Sequence, residues 1–222
     1  MVKKYQITAF ERLEEKPAKP VTKFGGQPDW LEEPQWPVSL NSEDTPMDFV
    51  GQIVLDKGML GNDEYCIAYI FLKCPVNNDD LADIAEWGSG ESAIIVQPGG
   101  DDFCNTKNMK EGPCLFDEDG NHHEYIPILV EGYDPDFISD EDFGEMEESE
   151  QHKYLEQIQG NKIGGVPYFF RGDEWPYGDW KFLLQISNWQ LPFVLSLGDE
   201  GIGMLFAFIF SDFKQGGLLI QS

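Results

Sequence analysis

Short apolar runs separated by Gly, Pro and Asn dominate this chain, and few of them recur at helical spacing. Residues 49–55, 65–72, 91–96, 125–130, 180–187 and 204–210 are compact stretches rich in aliphatic and aromatic side chains, which predicts strands. Lys57-Gly58 and Gly61-Asn62-Asp63 punctuate the first two, and Glu118-Asp119-Gly120-Asn121 predicts a hairpin turn before the fourth. Near the N-terminus Ile7, Phe10 and Leu13 recur every three residues, predicting a short amphipathic helix that Pro17 and Pro20 end. Residues 154–158 suit one or two further helical turns. Residues 23–36, crowded with Gly, Pro and Trp, form no helix.

The pattern also repeats. Lys23-Phe24-Gly25-Gly26-Gln27-Pro28-Asp29-Trp30 returns as Lys162-Ile163-Gly164-Gly165-Val166-Pro167-Tyr168-Phe169. Phe49-Val50-Gly51-Gln52-Ile53 is answered by Phe182-Leu183-Leu184-Gln185-Ile186, and Gly61-Asn62-Asp63 by Gly198-Asp199-Glu200. Three matches in one order predict an internal duplication. The expected fold is α+β and β-rich: two similar small-sheet units packed as one compact pseudo-two-fold domain over residues 1–222. The first repeat covers about 20–130, an acidic connector 131–151, and the second repeat about 155–222. The connector carries many carboxylates and no basic residue, so it reads as a solvated face or mobile loop.

Charge narrows the partners. With 41 acidic and 15 basic residues the formal net charge is −26, which disfavours nucleic-acid phosphates and anionic membrane surfaces. A basic protein or peptide, or metal ions, would be attracted; the same charge also keeps a chain rich in Phe and Trp in solution. No apolar run follows Lys3-Lys4, so no signal peptide is predicted, and the apolar stretch 202–210 is too short to span a bilayer. Four cysteines read as free thiols, and the expected compartment is the cytoplasm. Cys104, Cys114, His122 and His123 match no zinc template, and neither a metal nor a cofactor is predicted.

The repeated residues allow several chemistries. Gly25-Gly26 and Gly164-Gly165 permit positive φ, and Pro28 and Pro167 stiffen the exit, which makes them turns that pack Trp30 or Phe169. Lys23 and Lys162 invite comparison with a phosphate loop, but the prolines stand where its helix would begin. Gln52 and Gln185 interrupt apolar strands, so each amide either ties down the turn of its own half or helps line a shared groove that bonds a ligand backbone. Trp30, Trp36 and Trp175 lie beside Pro or Gly and either pack under loops or line a peptide groove. Asp199 and Glu200 precede a strand and are turn residues or a cation site. Asp117 to Asn121 lacks the closing Glu of a calcium loop. No nucleophile, base and oxyanion set is visible.

On these residues the chain resembles the YwqG-like family, a bacterial family of unknown function, over nearly its whole length. The marks are Lys23 to Pro28, Trp36-Pro37, Phe49 to Ile53, Leu183 to Ile186 and Gly198-Asp199-x-Gly201-x-Gly203 before an aromatic strand. The Gly-Gly-x-Pro-x-Trp-Leu and Phe-x-x-Gln-Ile phrases are also similar to programmed cell death protein 2. That resemblance implies a duplicated β-rich fold and a chaperone-like role for a basic protein; its zinc-binding insertion is not visible here. The expectation is a cytoplasmic module holding a basic protein or peptide, as a chaperone or an immunity protein. A metal-dependent enzyme using acidic residues and a structural component are the alternatives.

Overall fold

A computed structural model describes residues 1–42, 44–73, 87–100, 104–197 and 203–222. All six apolar runs are strands. The elements are β1 (Val2–Arg12), β2 (Lys23–Phe24), β3 (Trp36–Pro37), β4 (Asp48–Leu55), β5 (Cys66–Leu72), β6 (Ser92–Gln97), β7 (Thr106–Lys107), β8 (Tyr125–Asp134), α1 (Asp140–Gly144), α2 (Glu148–Ile158), β9 (Lys162–Gly164), β10 (Trp180–Ser187), β11 (Met204–Phe210) and β12 (Gly216–Gln221). Ten strands close into an antiparallel barrel in the order β1-β8-β2-β4-β5-β6-β12-β11-β10-β9, with β3 and β7 as a separate pair. The protein is thus β-rich, and in place of two small units packed face to face it forms one closed barrel of ten antiparallel strands.

Strand alternation explains why the strands read as unbroken apolar runs. In β5, Cys66, Ala68, Ile70 and Leu72 fill the barrel, while Ile67, Tyr69 and Phe71 face a second, outer cluster with Trp36, Met47 and Phe49. In β11, Leu205, Ala207 and Ile209 point in, and Met204, Phe206 and Phe208 meet an outer cluster that includes Phe169 and Trp175. Both faces of each strand are therefore dry, and side chains on both can be apolar. The irregular Gly/Pro/Trp segments are the outer layer.

Three expectations change. The predicted N-terminal helix is strand β1. It pairs with β8 along its length, and the register slips between Ile7 and Ala9, opposite Leu129 and Ile128. This bulge at Thr8 lets Ile7 and Phe10, three apart, both serve the barrel interior, so the spacing imitates a helix. The acidic connector is ordered as the end of β8 followed by α1 and α2; its charges lie on the solvated helix faces, yet Asp134 is wholly buried. The third change is an added strand: none is predicted over 216–221, where β12 begins with Gly216-Gly217, residues that weaken a strand. Both glycines are needed there: a Cβ on Gly216 would stand 2.6 Å from the Ile94 side chain, and one on Gly217 2.5 Å from the Trp87 ring.

Candidate functional site

The Lys-x-Gly-Gly turns bind carboxylates that belong to the protein itself. Gly25 and Gly26 hold φ of 71° and 68°, Gly164 and Gly165 of 68° and 81°, and the N–H that follows each pair, of Gln27 or Val166, reaches a carboxylate. In the first turn Lys23 Nζ lies 2.9 Å from Glu124 Oε1, which also accepts from the Gln27 N–H at 3.4 Å. In the second, Lys162 Nζ donates to Asp134 Oδ2 at 2.7 Å, and the Val166 N–H donates to the same oxygen at 2.8 Å. Strand β8 carries both carboxylates, Glu124 just before its start and Asp134 at its end. The lysines that invite comparison with a phosphate loop are thus engaged by the protein's own carboxylates.

These sites differ in their charge balance. Lys23 also meets Asp29 Oδ2 at 3.1 Å, and Lys16 meets Asp29 Oδ1 at 3.1 Å. Burial works against the Asp29 carboxylate, but Lys23 and Lys16 outweigh it and hold its carboxyl below the usual range. Lys162 has Asp134 as its acidic partner and also donates to the Ile158 carbonyl at the end of α2. Burial pushes Lys162 down to about 8 against the pull of Asp134. Lys4 Nζ stands 2.7 Å from Asp134 Oδ1, an ionic contact rather than a directed hydrogen bond.

Gln52 and Gln185 stand in register with those lysines, Lys23 opposite Gln52 and Lys162 opposite Gln185. Gln52 Oε1 accepts from the Asp29 N–H at 2.9 Å and Nε2 donates to the Val21 carbonyl at 2.8 Å. Gln185 Oε1 accepts from the Tyr168 N–H at 2.7 Å and Nε2 donates to the Gly160 carbonyl at 2.7 Å. Each amide is engaged at both ends with the segment of its own half, so the two do not meet in a shared groove. Two further glutamines, missed in the sequence, do the same work. Gln97 accepts from the Leu31 and Glu32 N–H groups, and Gln221 from those of Phe170 and Arg171. Each ends its strand, Gln97 in β6 and Gln221 in β12, whereas Gln52 and Gln185 stand inside theirs and so mark themselves in the sequence.

Trp30, Trp36 and Trp175 pack against neighbouring rings. Trp36 is fully buried and its Nε1 donates to the Met47 carbonyl at 2.8 Å. Trp30 lies 4.7 Å from the Tyr69 ring, and Trp175 5.4 Å from that of Phe208, so these sit in separate outer clusters. Pro28 and Pro167 are buried beside them. Asp199 and Glu200, with the rest of the Gly198 segment, lie outside the described residues. Among the described residues no three His, Cys, Asp or Glu side chains are grouped to hold a metal. Cys114 Sγ is 3.4 Å from His122 Nδ1, and burial pushes the Cys66 thiol up to about 11. The buried carboxylate Glu91 is held by Ser39, the Asn41 N–H and Lys73.

Among the described residues, part of one edge of β8 is unpaired. Beyond Tyr125, which faces Phe24, β8 pairs with β1 alone among the described residues. The open length exposes Leu129, Val130 and Tyr133, with Glu131 between them. The sequence gives little warning of this edge, since 125–130 reads like any half-buried strand. No helix among the described residues is long and apolar enough to cross a membrane. Comparison with protein-family models and with curated proteins finds no match to this chain.

Proposed function

We propose that this protein is a binding module for a basic protein segment, which adds as an extended strand to the open edge of β8. The observation that carries the reading is that edge: unpaired backbone beside exposed Leu129, Val130 and Tyr133. Free edges of this kind are templates for strand addition, and natural proteins usually charge or cover them. The net charge of −26 favours a cationic partner and fast, salt-sensitive association. Pulldown from lysate at low and high salt, with wild type and Val130→Lys, tests it. A basic client retained at low salt, released at high salt and lost with Val130→Lys is expected. Retention of the same client by Val130→Lys, or enrichment of no basic client, would sink the reading.

We also infer that the two halves descend from a duplication, in keeping with the resemblance to the YwqG-like family and to programmed cell death protein 2. The matched lysine–glutamine registers support this. So do the bulges between Phe49 and Gly51 and between Phe182 and Leu184, at matching places in β4 and β10. In this reading β1 and β8 are counterparts exchanged between the halves, each flanking the other's turn. Cys66 and Cys114, which form no disulfide, support a cytoplasmic location.

A further inference from the structure

A cavity of about 460 Å³ opens where the first half's β4–β5 turn, at Gly58 to Gly61, meets the Gly165-Val166 turn of the second half. Its apolar wall is made by Leu60, Val166, Trp175 and Phe182, and Lys3 and Lys181 also line it, with no carboxylate among the described residues. That size and an apolar wall with a few convergent polar groups suit a small organic ligand. Lys3 is paired with Glu131 at 3.0 Å. Lys181 makes no ion pair among the described residues; its Nζ lies 5.7 Å from the centre of the Phe213 ring. In a chain with 41 acidic and 15 basic residues, an ammonium at a cavity wall without an acidic partner is available to an incoming anion.

Neighbouring cavities are different. The one between β6 and β12 has no charged lining, and the one beneath α1 and α2 is lined by Asp140 and Asp173. The repeated architecture does not require Lys181 either. It stands four residues before Gln185, and the residue four before Gln52 is Asp48. The cationic lining thus belongs to the junction of the halves and not to either copy.

We propose that this cavity binds a small monocarboxylate with an aryl or alkyl body. The carboxylate lies between Lys181 and Lys3, and the body lies against Leu60, Val166, Trp175 and Phe182. This site touches β8 through the Lys3–Glu131 ion pair, but the proposal does not rest on the edge's partner. The experiment is calorimetric titration at low salt with 4-phenylbutyrate and octanoate, using neutral 4-phenylbutanamide as control. Both acids are expected to saturate one site at least about tenfold more tightly than the amide, one charge contact being worth roughly that factor. Lys181→Met is expected to bring the acid down to the amide's affinity and leave the amide unchanged. Amide chemical-shift mapping of wild type with 4-phenylbutyrate supplies a readout that needs no variant, with shifts centred on residues 58–61, 165–166 and 181–182. Equal affinity for acid and amide, no saturable binding, an unaltered Lys181→Met preference, or shifts centred elsewhere would each overturn the proposal.

Discussion

Gly165 and Gly58 hold nearly the same backbone, φ of 81° and 85°, in different surroundings. A Cβ on Gly58 meets nothing within 4 Å, whereas one on Gly165 would stand 2.2 Å from Asp134 Oδ2. Gly58→Ala should therefore cost about 1 kcal/mol, the left-handed penalty alone. Gly165→Ala should cost at least about 2 kcal/mol more, because the buried carboxylate must leave its partners; urea denaturation of both variants measures the difference. The paired glycines were legible as turns because only Gly takes this backbone cheaply. Their anions were not, since Glu124 and Asp134 are brought to the turns by pairing across the barrel. Lys162 makes a second prediction. Its folded pKa of about 8 lies below the ordinary 10.5. Below about pH 8 both folded and unfolded chains carry the proton, and the burial penalty is fully present. Between those values the unfolded chain binds more protons, so stability rises with pH. Lys162→Met should be destabilised by about 3 kcal/mol at neutral pH. Its deficit relative to wild type should widen from pH 8 to 10, and a constant deficit would contradict the shift.

At the scale of elements, the β1 bulge decides how the N-terminal strand tolerates change. Thr8 is the extra residue opposite Ile128, so removing it leaves Ile7 opposite Leu129 and Ala9 opposite Ile128. Deleting Gln6 instead shifts Val2 to Tyr5 by one position, turning Tyr5 out of the barrel and Lys4 away from Asp134. Deletion of Thr8 should cost far less than deletion of Gln6, for which a loss of about 3 kcal/mol or more is expected from the Tyr5 packing. Equal losses by thermal denaturation would mean that the bulge itself holds the strand. The same bulge explains why a three-residue period looked helical. Strand β12 was hidden for another reason: Gly216 and Gly217 weaken strand propensity locally, but the close approach of Ile94 and Trp87 demands them.

For the whole molecule, charge and closure matter most. The buried ion pairs at Lys23 and Lys162 are shielded from salt, while the excess of exposed carboxylates repels itself across the surface. Raising NaCl from about 20 mM to about 500 mM should therefore stabilise the chain, by about 1 kcal/mol or roughly 3 °C in Tm. A falling Tm would show that exposed ion pairs outweigh the repulsion. The sequence by itself determined the six long strands, the two Gly-Gly turns and the acidic surface. Each follows from local rules: apolar runs, obligatory glycine backbone, and composition. Only the tertiary structure decided that the strands close into one barrel, that Glu124 and Asp134 at the two ends of β8 supply the anions for both turns, and that among the described residues the far edge of β8 and the lysine-lined cavity are open. Those features come from contacts between residues far apart in the chain, where hydrophobic period and propensity carry no information about which edge finds a partner.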